Sequence, residues 1–286
     1  FFQEQGFHEF ITPILNASIP LEPNIFPFKT QWKSSQERIN FYLPTSPEKN
    51  LKEMLALGTD NCFSIGHSFR NLEAAGPLHS PEFLMLEWYR KNADYEDIMD
   101  DTQKLLVSIN QLIDTYSSKN WKRLSLERLF FFFFFIPFQK FVTNDKVIVE
   151  YAKAKGYETK KASWNQLYDQ IFVNEIEPHL PKTPCFLIDF PSRISPLCKP
   201  KKNEPYLAER FELYINRIEL ANGNTENTDI QSVKKRLRRP LDHDFLGSLN
   251  KMKVASYAGV GLGVDRLTML FLNVNSILFE IDTVLH

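Results

Sequence analysis

Hydrophobic and polar positions along the chain change period several times, and each change predicts an element. Phe1 to Gly6 reads as the last turns of a helix closed by glycine, followed by an extended segment from His8 to Leu15 that contains Pro13. Ser46-Pro47-Glu48 starts a helix well: a hydroxyl to cap, a proline for the first turn, a carboxylate for the dipole. That helix runs through Leu51, Met54 and Leu55 to Gly58. Cys62 to Arg70 and Glu82 to Arg90 read as two strands, with Ala74 to Ser80 as their connection. From Tyr95 to Tyr116 the apolar residues Ile98, Leu105, Ile109, Leu112 and Ile113 recur at helical spacing.

Asn120 to about Lys182 is mixed and reads as a mainly helical insertion. Strand character returns from Ala208 to Asn222. The polar stretch from Asn224 to Arg239, basic toward its end, reads as a solvated loop and helix. After Tyr257 a glycine-rich strand passes into an apolar helix that ends near Leu272. The pattern is that of an α+β protein, an antiparallel sheet flanked by helices, in one domain spanning 1–286. It leaves a puzzle, because the strands around residues 62–90 carry His67, Arg70, Glu82, Glu87 and Arg90, and strands of this kind are normally buried.

Composition narrows the classes without choosing one. The 286 residues are 43% hydrophobic and 24% charged with net charge −1, which argues against a broad nucleic-acid-binding surface. No stretch is long and apolar enough to cross a bilayer; the run of phenylalanines from Phe130 to Phe135 stops at Pro137. Cys62, Cys185 and Cys198 form neither a close pair nor a metal-ligand spacing, so a reducing, cytoplasmic setting is expected. The chain opens inside a helix-like segment, and a missing N-terminal portion is expected.

Three clusters carry candidate chemistry. Arg70, at the end of a strand, can aim a planar guanidinium at a phosphate, with Glu73 nearby; alone the two read as a surface ion pair. Glu219 and Glu226 lie seven residues apart across a glycine, so both carboxylates are expected to meet on one magnesium ion; alone they read as a solvated turn. Gly259-Val-Gly261-Leu-Gly263-Val-Asp265-Arg266 lets backbone approach a flat ligand, although its spacing is not that of a dinucleotide fingerprint. No Ser-His-Asp or Cys-His set is apparent.

Together these segments resemble the motifs of class II aminoacyl-tRNA synthetases. The Pro13 region is similar to the family's first motif, Phe69-Arg70 through Glu87 to its second, and Gly261 to Arg266 to its third. Thr45-Ser46-Pro47-Glu48, Glu87-Trp-Tyr-Arg90, Glu209-Arg-Phe-Glu212 and Ile218 to Gly223 resemble the lysine branch, and within it the short paralogues that ligate β-lysine to elongation factor P.

The resemblance implies the class II catalytic fold, ATP and Mg2+ as cofactors, and a homodimer formed through Pro13. It implies β-lysine or lysine as substrate and elongation factor P, rather than tRNA, as acceptor. Arg70 would hold the α-phosphate and Glu73 the adenine amine, with Asn71 and Ser80 near the nucleotide. Glu219 and Leu220 would complete the ATP site, Glu219 through magnesium shared with Glu226. Gly263 would pass beneath the adenine and Arg266 would clamp the nucleotide. Ser46, Glu48, Tyr89 and Glu226 would grip the amino acid. Gly261 sits where alanine is expected in the ligases and glycine in the synthetases, which leaves lysine and β-lysine both open. A lysyl-tRNA synthetase catalytic half and a non-catalytic synthetase-like module are the alternatives.

Overall fold

In the computed structural model, which describes residues 1–18, 25–73, 76–113, 121–237 and 243–277, the chain opens with a 3-10 turn at Gln3–Gln5. Gly6, at φ +79°, closes it by donating to the carbonyl of Gln3. The expected extended segment yields only β1 (His8–Glu9). An exposed hairpin follows, β2 (Lys29–Lys33) with β3 (Arg38–Tyr42).

Helix α1 (Glu48–Ala56) begins where the capping signals place it, the Glu48 N–H donating to Ser46 Oγ at 3.3 Å. Strands β4 (Cys62–Phe69) and β5 (Glu82–Lys91) pair antiparallel along their length. Helix α2 (Tyr95–Ile113) packs its apolar stripe, Ile98, Leu105 and Leu106 among it, behind the sheet. The remainder of that predicted helix toward Tyr116, residues 74 and 75 of the β4–β5 connection, and Arg238 and Arg239 of the basic stretch lie outside the described residues.

The next segment starts with a strand, β6 (Lys122–Ser125), before turning helical in α3 (Leu126–Phe134), α4 (Phe138–Thr143), α5 (Asp145–Ala154) and α6 (Trp164–Ile171). It has its own core around Phe130, Phe141 and Tyr168. Within the phenylalanine run Phe130 is buried, whereas Phe132 and Phe135 are exposed. The chain then continues through β7 (Cys185–Ile188), β8 (Arg210–Ile215), β9 (Ile218–Thr225), α7 (Ile230–Leu237), α8 (His243–Lys251), β10 (Tyr257–Gly263) and α9 (Val264–Leu272).

Among the described residues the sheet has eight strands in the order β1-β4-β5-β10-β9-β8-β7-β6. Its six central strands are antiparallel, as expected, but both edges are parallel: β1 with β4, and β6 with β7. Each parallel pair is joined by a long connection that carries helices, α1 in one case and α3 to α6 in the other, as parallel pairing requires.

The largest correction concerns β9. Gly223 makes no turn. The reversal lies earlier, at Asn216 and Arg217, both left-handed with φ near +54° and +67°. Gly223 sits mid-strand, where a Cβ would fall 2.6 Å from the Phe211 ring of the neighbouring strand. Glu219 is therefore near one end of an extended strand and Glu226 just past the other, on the order of 20 Å apart at the usual rise. They cannot share one cation.

Candidate active site

Residues opposite one another in antiparallel strands share a face of the sheet, and side chains alternate between faces. Across β5, β10, β9 and β8 the register sets Tyr89, Gly259, Asn224 and Arg210 in one row. The next row holds Glu87, Gly261, Asn222 and Glu212. The intervening Leu86, Trp88, Val260, Leu262, Ala221 and Phe211 belong to the core on the other side. Alternation thus explains Glu87, because one face is a core and the other is the floor of a cleft of about 520 Å³ that Arg70 also lines; His67 and Glu82, an exposed pair 2.9 Å apart, and Arg90, 3.1 Å from Asp101 of α2, lie outside it. The glycines of β10 keep that floor low. A Cβ on Gly259 would sit 2.3 Å from the Tyr89 ring. Gly259→Ala is therefore expected to cost about 1–3 kcal/mol through overpacking, read from the denaturant midpoint.

Two guanidinium groups line the cleft. Arg70 reaches Thr45 O with Nε at 3.4 Å, lies 3.6 Å from Glu73, and covers the Phe83 ring at 5.1 Å. Arg266, in the first turn of α9, donates to Leu78 O (3.2 Å), Glu219 O (2.8 Å) and His79 Nε2 (3.2 Å). It thereby ties loop 76–80 to the end of β9, and His79 serves to fix that loop. Asp265 accepts from the Leu84 N–H at 2.6 Å, locking α9 to β5.

Glu73 lines the cleft, while Leu72, left-handed at φ +61° and 76% exposed, turns away from it. Ser80, Glu219 and Gly263 also line it. Leu220 lines it too, though its side chain belongs to the core. Asn71 does not line the cleft: its N–H donates to Phe26 O and its Oδ1 accepts from the Leu72 N–H, so it shapes the turn.

An acidic pair other than the expected one joins Glu219, which lines the cleft, to Glu212, which is buried in the row of Glu87 and Asn222 and lies outside the lining. Glu212, 7% exposed, receives Arg210 Nη2 at 2.5 Å and the Tyr214 hydroxyl at 2.9 Å. That hydroxyl also lies 3.0 Å from Glu177, which comes from the helical segment after α6. Burial first, then repulsion from Glu219, pushes the Glu212 carboxyl up to about 8, against the pull of Arg210. Glu219 itself is 3.8 Å from Arg266. Arg210 is further held by Asn222 (3.2 Å) and Ser195 (3.0 Å) and stacks 4.5 Å from the Phe190 ring.

Ser46, Glu48, Glu87 and Tyr89 line the cleft as well. The Tyr89 hydroxyl donates to Glu87 at 2.6 Å. Glu226 is buried and outside the lining, bonded to Asn224 at 3.3 Å and 2.7 Å from the ammonium of Lys52. Lys52 also contacts Glu48. Burial opposes charge on Lys52, but Glu226 and Glu48 outweigh it and hold the ammonium well above the usual lysine range.

Of the expected residues, the structure gathers Ser46, Glu48, Arg70, Glu73, Ser80, Tyr89, Glu219, Leu220, Gly263 and Arg266 around one cleft, and leaves Asn71 and Glu226 out of its lining. Sequence reasoning gave no role to Lys52, Glu87, Arg210, Glu212, Asn222 or Asn224. For Glu87 and Arg210/Glu212 the signal was present: period-two placement beside Tyr89 and within a single strand.

An antiparallel sheet with one polar face, and two arginines from separate segments facing one cleft, make a catalytic-domain layout suited to a polyanionic ligand. The chain matches the family model for tRNA synthetases class II (D, K and N) over residues 1–279, and it belongs to that family. Its relatives include an elongation factor P–(R)-β-lysine ligase homolog of Aquifex aeolicus, 36% identical over 98% of this chain and 93% of the relative. The elongation factor P–(R)-β-lysine ligases of Photorhabdus laumondii (32% identical) and Yersinia enterocolitica (33%) each align over 95% of this chain and 86% of their own length.

Proposed function

We propose that this protein is an ATP-dependent ligase that activates β-lysine or lysine as an aminoacyl-adenylate and transfers it to a lysine amine of elongation factor P. The observation that carries this reading is a single cleft lined by both Arg70 and Arg266 and by Glu48 and Glu87. A carboxylate attacking the α-phosphorus of ATP approaches a polyanion, and the two guanidiniums offset that repulsion as pyrophosphate leaves. Glu73 would meet the adenine amine, and Gly263 would leave room beneath the ring. Glu48 and Glu87 would meet the ammonium groups of the amino acid, with Tyr89 fixing Glu87. In the second step the acceptor amine, having lost a proton, attacks the acyl carbon and AMP departs with the bonding pair. No nucleophile from the protein is needed.

Glu212 and Glu219 would hold magnesium. Their mutual repulsion, with Glu212 pushed up by burial, is what a dication would relieve, and two carboxylates are the protein's usual share of a site completed by water and phosphates. Bound there, the ion supplies positive charge to the phosphates. The homodimer would form through the Pro13 segment, where Ile11 is 98% exposed and Ile14 and Leu15 are also open. The three cysteines are free and buried, and no described helix is long and apolar enough to cross a membrane; both fit the cytoplasm, where translation factors act.

Mass spectrometry of purified elongation factor P, after incubation with the protein, ATP and each amino acid, tests this. A mass increase on one lysine with β-lysine or lysine is expected, and it should vanish when EDTA removes the divalent cation. Pyrophosphate exchange without any gain of mass would move the acceptor to another molecule.

A further inference from the structure

Lys52 lies one helical turn beyond Glu48 in α1, with a side chain that is 1% exposed. Its ammonium touches Glu48, lies 2.7 Å from Glu226, and stands over the rings of Tyr89 (5.6 Å) and Phe245 (5.9 Å). A buried ion group of this kind is a poor source of stability, since apolar side chains of similar volume commonly serve as well or better. What it does provide is geometry. Of its two carboxylate partners, Glu48 lines the cleft and Glu226 stands behind it, itself held by Asn224, another cleft residue.

We propose that Lys52 is a positioning residue for the amino-acid substrate: its ammonium, held between Glu226 and Glu48, fixes the orientation of the Glu48 carboxylate so that Glu48 presents its negative charge to a substrate ammonium. The inference rests on the proposed adenylating function and deepens it. Without Lys52, the buried Glu226 faces no cation and the half-buried Glu48 is left beside it with nothing to hold its orientation. Glu48 then loses both its charge partner and its anchor. Arg70 and Arg266, which would serve the phosphoryl chemistry, stand on other elements. The loss is therefore one of substrate binding, with the chemical step preserved.

Amino-acid-dependent pyrophosphate exchange separates these effects. Lys52→Met, which keeps volume and removes charge, is expected to raise KM for the amino acid about 10–100-fold, leaving kcat and the KM for ATP within about twofold. Lys52→Ala should show the same defect and recover in the presence of propylammonium, which replaces the deleted atoms. Lys52→Met, its cavity filled, should not respond. If Lys52→Ala fails to fold alone, propylammonium is expected to restore its circular dichroism along with exchange. An unchanged amino-acid KM in Lys52→Met, an equal rise in the KM for ATP, or a Lys52→Ala chain indifferent to the amine overturns the inference. A wild type that exchanges with neither amino acid defeats the proposed function as well; wild-type exchange with a normal Lys52→Met defeats the inference alone.

Discussion

Arg70→Ala is expected to lower adenylation about 10³-fold while the protein stays folded. The guanidinium contributes little to stability: its bond to Thr45 O is long, at 3.4 Å, and Glu73 is 3.6 Å away on a partly exposed loop. Pairs of that kind are worth at most about 1 kcal/mol. A melting temperature within a few degrees of wild type, together with loss of pyrophosphate exchange, would be the signature. Arg70→Lys should recover little, because a point charge does not reproduce the planar fork. Exchange near the wild-type rate in Arg70→Ala would falsify the role given to this residue and remove one of the two cations on which the mechanism depends.

Arg210→Met is expected to act mainly on stability. The side chain is surrounded by Glu212, Asn222, Ser195 and the Phe190 ring, and removing it leaves Glu212 buried without its cation. Glu212, already pushed up to about 8, takes a proton once Arg210 is gone, so the cost is that of the lost buried hydrogen bonds, about 1–3 kcal/mol, which in a chain of this size lowers the melting temperature by roughly 5 °C. Added magnesium with ATP should return part of the loss, since a cation between Glu212 and Glu219 relieves the same repulsion. Arg210→Met/Glu212→Met removes both charges and should melt higher than the single variant. If the single variant melts like wild type, the ion pair has no structural weight and the acidic pair needs another account.

Local signals made much of the framework legible. The start of α1 was readable because Ser46, Pro47 and Glu48 act on the first turn of their own helix. The β4–β5 pair and the strand-to-helix passage at Gly263 were readable because period and turn chemistry are local too. The joint placement of Arg70, Glu73 and Arg266 came from resemblance, as no spacing along the chain brings residues 70 and 266 together.

What failed did so for identifiable reasons. Gly223 looked like a turn because glycine usually marks one, yet its small size serves the Phe211 ring on the adjacent strand, and the turn went to Asn216 and Arg217. Placing the turn wrongly paired Glu219 with Glu226 in place of Glu212. Lys52 stood four residues after Glu48, the ordinary spacing of a solvent-facing helical pair. Its burial is imposed by Tyr89, Glu226 and Phe245, which arrive from distant parts of the chain.

The three glycines of β10 differ in how much they constrain what the molecule could become. At 259 an aromatic ring blocks any added carbon, so that position is frozen. At 261 the nearest obstacle is the flexible thioether of Met85, 3.2 Å away, and at 263 the nearest atoms are 3.9 Å off. One or two methyl groups there could reshape the ligand chamber while every charge stays in place. Discrimination between isomeric amino acids can thus drift by single-carbon steps, independently of the machinery that handles the phosphates.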